Sequence, residues 1–489
     1  MTISQALSSA SSGLSAAARR AGVTSNNIAN ALTEGYSRRE VLVSERVTDG
    51  EGAGVIVSGV RRAYNPAVTY ERRLADSETA FGGATTGALT RVANLLGGPE
   101  EASSLFQKYA NFESALRELA ETPDSAPLQQ KVVTTAKDIA GAFNKISTGY
   151  QQIRADADKE IGARVNEVND ALQQIEQLNN AIGKGSVTGT DVTALLDQRQ
   201  QLINKVNESI PVRELQRDNG KVDLMTPEGV FLLAGSARKV EFNASPVMTD
   251  ARVYNGGAGS LSGISVEGKD ITPGGPGGQP LSGGAIAGLF NVRDTVLPEA
   301  SLALDALAFD LANRFSDAGL DATLAPGAPG LFTDAGALAD VSTLSGLSSR
   351  LAVNAAVDTS QGGAAWRIRD GIGAVAPGAS GSDILVRGLV DAMTATRPTN
   401  AALQASGDLN AAEAAAHLTS LAGGARAISA ARLTASSALS QSLYEAEKFD
   451  TGVDTDRELQ ELLVIEQAYA ANARVLETID QMIRRLMEI

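Results

Sequence analysis

Three carboxylates lie within five residues near the C-terminus of the chain, at Asp454, Asp456 and Glu458 in the segment VDTDRE. Closely spaced acids could act as the acid and base of glycoside hydrolysis, or bind calcium through their oxygens. The calcium-loop pattern D-x-[DN]-x-[DN]-G with its distal glutamate is missing, however. Acids in the first turn of a helix also stabilise the helix dipole. The pattern therefore favours helix capping over catalysis or metal binding.

The other residues that could do chemistry lack partners at a useful spacing. A serine nucleophile needs a base, and the single histidine, His417, lies in the helical segment AAEAAAHLTS, where we expect a partly exposed helix position. The glycine-rich stretch TPGGPGGQPLSGG lacks the G-x-G-x-x-G spacing between a strand and a helix, so it predicts a flexible loop. The chain has no cysteine. We therefore predict no catalytic, cofactor-binding or metal-binding residue and no enzyme activity.

Composition limits the partners that the chain can have. Its 489 residues are enough for two to four domains, and its net charge of −15 repels phosphate backbones and anionic lipid headgroups. We therefore expect neither nucleic acid nor a membrane as a partner. The sequence has no apolar run of about eighteen residues and no general secretory signal peptide at its start. If the protein leaves the cell, we expect another export route.

The clearest structural elements are at the two ends of the chain. Near the N-terminus, apolar and small residues recur at alternating steps of four and three, which predicts a helix with a heptad seam. A capping box at Thr2 and Gln5 begins this helix, and we expect Gly35 to stop it. The seam comprises Ile3, Leu7, Ala10, Leu14, Ala17, Ala21, Thr24, Ile28 and Ala31.

The C-terminal segment repeats this pattern with larger side chains and opens with a capping box from Thr455 to Glu458. Its seam comprises Leu462, Ile465, Tyr469, Asn472, Leu476, Ile479, Ile483 and Leu486. Small residues on the first seam allow the second helix to approach closely, so we expect the two helices to form an antiparallel coiled coil. The polar Asn472 can fix the register of this pair at some cost in stability.

Between the two ends, the pattern predicts a multidomain α+β chain. Alternating apolar residues over 38–70 and from 211 onward indicate strands and hairpins, while helical periodicity marks 103–120, 132–182, 191–209, 288–317 and 410–448. Gly183 and Gly185 are expected to end the longest helix. We predict three nested parts: a terminal coiled-coil domain (1–36 plus 455–489), a helical rod domain with short strands (37–210 plus 410–454), and a mixed β-rich, solvent-facing insertion (211–409) with room for two subdomains.

Two sets of polar residues are unusual in this layout. Asn26, Asn27 and Asn30 lie near the end of the first helix, although asparagine is a poor residue for a helix interior. Arginine pairs recur at Arg19-Arg20, Arg38-Arg39, Arg61-Arg62 and Arg72-Arg73 within an acidic chain. These pairs can form a solvated face, or they can pair with acidic neighbours in a polymer.

The segment SGLSAAARRAGVTSNNIANALTEGYSRREV resembles the N-terminus of bacterial flagellar axial proteins, which share an S-G-L…S-N-N-I-A-N…G-Y element. Gly35, Tyr36, Ser37 and Arg38 resemble the hook-associated protein 1 (FlgK) family, whereas rod and hook proteins usually continue with a lysine. The C-terminal LLVIEQAYAANARVLETIDQMIRRL resembles the ending Q-x-A-Y-x-A-N-A of the same superfamily. GAGVIVSGVRRAYNPAV and LLDQRQQLINKV also resemble FlgK-family segments, whereas 322–424 matches weakly.

The resemblance implies a secreted structural protein that joins hook to filament on the extracellular flagellum and is required for filament assembly. It also implies export through the flagellar type III apparatus and a terminal coiled coil that lines the central channel. The implied partners are further copies around the flagellar axis, the hook protein, a second hook-associated junction protein, and an export chaperone at the C-terminal helix.

In such an assembly the amides of Asn26, Asn27 and Asn30 would satisfy buried groups between subunits, and both seams would be assembly contacts. The other explanation for the asparagines is a fraying helix end with local side-chain hydrogen bonds. Tyr36 can likewise anchor the helix end on the next domain, contact another subunit, or do both. Alternative functions are a hook or rod protein, or an enzyme or adhesion module in the central insertion.

Overall fold

The structure is a computed structural model that describes residues 3–48, 51–98, 100–255, 260–316 and 319–487. These residues form a mostly helical α+β chain with small antiparallel sheets. The helices are α1 (Ile3–Ala29), α2 (Pro66–Leu96), α3 (Leu105–Glu121), α4 (Ala126–Thr188), α5 (Thr193–Ser209), α6 (Gly284–Asn291), α7 (Leu297–Arg314), α8 (Leu347–Arg350), α9 (Arg367–Asp370), α10 (Ile384–Thr394), α11 (Ala411–Thr451) and α12 (Thr455–Met487).

The strands of the described residues form four small sheets. One is the hairpin of β1 (Arg39–Thr48) and β2 (Glu51–Arg62), and a second has the order β3 (Arg213–Gln216), β4 (Val222–Met225), β5 (Phe231–Ala234), β6 (Ser236–Ala237). The third has the order β7 (Val240–Glu241), β8 (Ser265–Val266), β9 (Lys269–Asp270), and the fourth pairs β10 (Phe332–Asp334) with β11 (Leu351–Val353). The strands predicted from 38–70 and from 211 onward are confirmed.

The chain groups into two compact units. The first comprises 1–79, 166–240 and 436–489, and the second comprises 80–165 and 241–435. The helices α2, α4 and α11 each contribute residues to both units. This grouping is coarser than the three predicted domains, whose boundaries remain a prediction.

In the first unit, the β1–β2 hairpin packs on α1. The Ser12 hydroxyl accepts a hydrogen bond from the backbone N–H of Val55 at 3.1 Å and donates one to the carbonyl of Ser9 at 3.0 Å. Gly54 has a φ of +106°, and a Cβ at this position would collide with Ser12 Oγ. The small residues of α1 and Gly54 of β2 therefore allow the strand to pack closely against the helix.

The second unit has an aromatic core. The rings of Phe112, Phe315 and Phe332 meet edge to face with centroids 5.5–5.8 Å apart, and all three are buried. The fully buried guanidinium of Arg293 pairs with the carboxylate of Asp158 at 2.7 Å, so its charge is compensated inside the unit.

Two helices differ from the sequence prediction. The pattern does not predict α2, because its Ala, Gly and Thr residues give little apolar periodicity. The helix α4 continues through Gly183 and Gly185 to Thr188, so the prediction that these glycines end it is wrong. A glycine costs a helix interior only about 1 kcal/mol, which packing along a helix of this length can offset.

The caps of the terminal helices also differ from prediction. The N-terminal capping box depends on Thr2, which lies outside the described residues. At the start of α12, Asp454 Oδ1 accepts hydrogen bonds from the backbone N–H groups of Asp456 (3.0 Å) and Arg457 (3.2 Å). The predicted capping box from Thr455 to Glu458 is therefore wrong: the cap is one residue earlier, and the Glu458 side chain is buried.

Candidate assembly site at the paired termini

The helices α1 and α12 pack against each other in antiparallel orientation. Asn27 Nδ2 donates to Glu458 Oε2 at 3.0 Å, and Arg20 forms an ion pair with Glu461. Further along, the amide of Asn472 lies directly against Gly13. As residue numbers increase along α12, the numbers of their contact partners on α1 decrease, as an antiparallel pair requires.

Most of the predicted α12 seam faces α1. Ile465 and Ile479 are buried. Four further seam residues are half-buried: Leu462, Asn472, Leu476 and Ile483. Tyr469 and Leu486 remain 49% and 61% exposed within the chain. On α1, Leu14 and Ile28 are half-buried, whereas Ile3 and Leu7 are exposed.

Asn27 is the centre of the polar contacts at this site. Its Nδ2 donates to the carbonyl of Arg39 at 2.9 Å as well as to Glu458, and its Oδ1 accepts from the Tyr36 hydroxyl at 2.8 Å and from the Arg39 N–H at 3.0 Å. The side chain is 1% exposed. All four hydrogen-bonding positions of the amide are therefore used inside the chain.

The partners of the asparagines are local or intrachain in this structure. Asn26 is exposed and accepts from Tyr36 at 3.1 Å, while Asn30 Nδ2 donates to the Asn26 carbonyl at 2.9 Å. Local bonding thus describes Asn26 and Asn30, as one of the two explanations predicts. Asn27 instead bonds to other segments of its own chain, so its amide has no hydrogen-bonding position left for a neighbouring subunit.

The family motif after α1 forms a tight, buried turn. Gly35 has a φ of +76°, and a Cβ there would collide with the side chain of Gln201, which donates to the carbonyl of Glu34 at 2.8 Å. Tyr36 is 8% exposed, and burial raises the pKa of its hydroxyl, which stays a protonated donor at neutral pH. Tyr36 therefore anchors the end of the helix.

The turn is held to the following segments by its last two residues. Ser37 is buried, and the Arg38 N–H donates to the carbonyl of Thr451 at the end of α11 at 2.8 Å. The Arg38 guanidinium pairs with Glu40 at 2.9 Å. The chain is therefore fixed on both sides of the hydrogen bonds that Asn27 makes.

At least one arginine of each pair forms an ion pair within the chain, which neither sequence interpretation predicts. Arg39 and Arg62 both pair with Asp197 of α5 at 3.3 Å. Burial raises the pKa of Asp197 even though both guanidinium groups lower it. In α2, Arg73 is 2% exposed and pairs with Glu214. The ion pairs of Arg39, Arg62 and Arg73 therefore hold the first unit together, whereas the side chains of Arg20 and Arg61 remain 41% and 65% exposed, as a solvated face predicts.

The sequence signal for some of these residues exists but is weak. Glu458 lies one heptad before Ile465, so extending the seam backward would place it at the α1 contact. Asp197 and Gly13 carry no such signal, because their roles depend on residues distant in sequence.

The described residues contain no cluster of three or more His, Asp or Glu side chains that could hold a metal ion. None of the described helices is long and apolar enough to cross a membrane.

A second row of apolar residues on α12 lies outside the α1 contact, and we call it the outer row. It comprises Val464, Ala468, Ala471, Val475, Met482 and Leu486. Its larger side chains are 43–61% exposed. Exposed apolar residues at heptad spacing form a surface that another helix can cover.

Comparisons with known proteins match both this site and the middle of the chain. Residues 7–36 match the family of flagella basal body rod proteins, and 450–489 match the C-terminal family of flagellar basal body rod FlgEFG proteins. These two segments include most of α1 and all of α12. Paired termini with these sequences define a structural protein of the flagellum.

The central match is more specific. Residues 89–331 match the family described as flagellar hook-associated protein FlgK helical domain. Flagellar hook-associated protein 1 of Escherichia coli is 28% identical over 338 residues, which are 65% of this chain and 58% of the relative. The protein of that name from Salmonella typhimurium is 29% identical over 331 residues, 64% of this chain and 56% of the relative. The chain belongs to the FlgK family of flagellar hook-associated proteins.

The solved structure of the flagellar hook junction protein FlgK from Burkholderia pseudomallei is 21% identical. It superposes with a TM-score of 0.42 over 55% of this chain and 46% of that chain. Because this score is low, the family assignment depends on the sequence matches. The matches with the two relatives cover less than two thirds of each relative's length.

Proposed function

We propose that this chain is a non-enzymatic structural subunit that joins the flagellar hook to the filament and is required for filament assembly. The terminal segments match rod families, whereas the central segment matches a hook-associated helical domain. The central match therefore favours the junction over the hook or the rod. It also leaves an enzyme or adhesion module in the insertion without a supporting observation.

The observation that carries this proposal is the outer row of α12. One apolar face of α12 is covered by α1, and the second has no cover within the described chain. In the proposed assembly, α1 and α12 form a coiled coil, and the outer row packs on the terminal helices of another copy of this chain. Contacts of this head-to-tail kind repeat around an axis and produce a ring or tube.

The same surface supports two further partners. Before assembly the outer row is an exposed apolar helix face, which an export chaperone would cover as a groove covers an amphipathic helix. After export, copies of the chain would meet the hook protein at one end and a second hook-associated protein at the other. The proposed location is the extracellular flagellum.

A matched pair of valine substitutions tests the assembly proposal. Val475 in the outer row and Val187 at the end of α4 are both exposed, at 45% and 73%. Val475→Glu places a charge in the proposed contact, so filaments per cell should fall at least about tenfold, because an unpaired buried charge costs several kcal/mol. Val187→Glu makes the same chemical change elsewhere and should leave filaments intact.

The experiment is complementation in a bacterium that lacks this protein. Filaments and hooks are counted by electron microscopy, and exported protein is measured in the medium. Loss of filaments with complete hooks and normal export supports the proposal. Normal filament numbers with Val475→Glu would refute the outer row as an assembly contact, and reduced export would instead identify it as the chaperone contact.

A further inference from the structure

One side of the long helix α4 carries a polar residue at every seventh position within the second unit. Seven residues are nearly two turns of an α-helix, so these side chains lie along one stripe, with about 10 Å between neighbours. We call this set the α4 stripe. It comprises Gln130, Lys137, Asn144, Gln151 and Asp158.

The first two residues of the α4 stripe bond to the turn at 358–360. Gln130 Oε1 accepts a hydrogen bond from the Thr359 hydroxyl at 3.1 Å. Lys137 Nζ donates to Asp358 Oδ2 at 3.0 Å and to the Ser360 hydroxyl oxygen at 3.1 Å. This turn therefore lies against the N-terminal part of the stripe.

The next two residues of the α4 stripe bond to two other segments. Asn144 Nδ2 donates to the main-chain carbonyls of Ser348 at 2.8 Å and Leu351 at 3.2 Å. Gln151 Nε2 donates to the carboxylate of Asp250. One side chain thus fixes the backbone around α8, and the next fixes the turn at 249–252.

The last residue of the α4 stripe, Asp158, is 1% exposed, and its Oδ2 accepts from the Ser245 N–H at 2.6 Å. Between the last two stripe positions, the buried Arg154 donates to the carbonyls of Thr249 at 3.1 Å and Arg252 at 2.7 Å. Residues 242–252 lie outside the helices and strands, so their main-chain groups need such partners.

The partners of the α4 stripe follow a single order. As residue numbers increase along the stripe, the partners' numbers fall from 359 to 245. The two segments 343–360 and 245–252 therefore lie along α4 in the reverse direction of the helix. Each of them bonds to a different part of the stripe.

We infer that the α4 stripe is an intrachain docking surface that positions 343–360 and 245–252, with each stripe residue holding only the part of the chain that it contacts. Its members are positioning residues. Substitutions about 10 Å apart without shared partners act nearly independently, so each should release its own segment alone. The docking surface lies within the second unit, so it depends neither on the terminal helices nor on the proposed function.

Hydrogen exchange of the full chain, read by mass spectrometry, tests this inference. Asn144→Ala removes the donor to two carbonyls, so peptides within 343–352 should lose protection at least about fivefold. Peptides within 245–252 should change less than about twofold. Gln151→Ala should give the reverse pattern, because it removes the bond to Asp250.

Matched controls make the same chemical changes at exposed positions of the same helix. Gln152 follows Gln151 directly, and its Nε2 bonds within α4 to Asp156 at 2.7 Å. Asn166 is also exposed on α4. Gln152→Ala and Asn166→Ala should change the protection of both segments by less than about twofold.

The pattern of loss decides the inference. Equal losses in both segments with either variant would overturn it, because the whole unit would then open together. Unchanged protection in the contacted segment would also overturn it, and so would an unaltered chain in which neither segment is protected.

A variant at a more exposed position keeps the test available if Asn144→Ala and Gln151→Ala do not fold. Lys137 is 45% exposed in its side chain, and Lys137→Met keeps the apolar stem without the ammonium group. Peptides within 357–361 should lose protection about threefold, since a partly exposed ion pair contributes little. No loss there, or an equal loss at 245–252, would refute the docking surface.

Discussion

Replacing Asn27 by alanine removes four hydrogen bonds from the point where α1, the start of β1 and the start of α12 meet. The backbone N–H and carbonyl of Arg39 lose a side-chain partner, and so does the buried carboxylate of Glu458. The Tyr36 hydroxyl is affected least, because Asn26 Oδ1 remains 3.1 Å away.

The size of the effect follows from these partners. A buried polar group that loses its hydrogen bond costs about 1–3 kcal/mol, and the ionised Glu458 lies at the upper end of that range. Water can reach part of the half-buried Arg39 backbone, so the loss of its side-chain partner costs less free energy than the loss at Glu458. We therefore expect Asn27→Ala to lower the local free energy of opening by about 3 kcal/mol, or roughly a hundredfold in the opening equilibrium.

Hydrogen exchange read by mass spectrometry on peptides covering 20–40 and 454–465 measures this quantity. Asn27→Asp should not rescue protection, because the carboxylate lacks both donors and adds a charge beside Glu458. Asn26→Ala changes an exposed neighbour and should reduce protection less than about threefold. If Asn26→Ala and Asn27→Ala lose protection equally, the intrachain network is not what orders this site.

Two further predictions concern the second unit, and urea unfolding followed by its single tryptophan tests both. Gly288→Ala should destabilise the second unit by about 1–3 kcal/mol, because the new Cβ would lie 2.7 Å from the main-chain oxygen of Phe81. As a control, the new Cβ of Gly141→Ala meets no atom within 4 Å, so this change should stabilise the unit by about 0.5–1 kcal/mol. Equal effects of the two substitutions would contradict this prediction. Burial raises the pKa of Asp358, but hydrogen bonds from Ser360, Lys137 and Gln361 lower the pKa by more than burial raises it. The net pKa of Asp358 is therefore well below the ordinary 3.8. Its ionised form therefore contributes stability that is present above pH 3.8 and lost as pH falls, so the destabilisation by Asp358→Asn should shrink in acid, and a pH-independent difference would contradict this.

The elements that sequence predicts well are those with a local signal. The alternation of β1 and β2 and the helical periodicity of α3, α5 and α11 are read from neighbouring residues, and the structure confirms them. The helix α2 escapes prediction, since alanine, glycine and threonine do not mark a buried face. Its burial comes from contacts such as Arg72 with Glu447 and Thr86 with Ser429, which lie more than 300 residues apart in sequence.

The candidate site divides in the same way. The seam positions Ile465 and Ile479 follow from spacing alone, because a heptad repeat defines a helix face without reference to its partner. The motif Gly35-Tyr36 predicts a turn but not the side chain of Gln201 that makes a glycine necessary there. Spacing therefore identifies which face is used, but not which atoms meet on it.

The sequence by itself determined that the chain begins and ends in amphipathic helices and belongs with flagellar proteins, because periodicity and motifs are properties of contiguous residues. Only the tertiary structure decided that Asn27 bonds within the chain, that Arg39 and Arg62 share Asp197, and that the outer row of α12 is left uncovered. Each of these depends on which distant segments approach each other in three dimensions. A polar side chain has the same local pattern whether its partner is water, a second subunit or a carboxylate 431 residues away in its own chain.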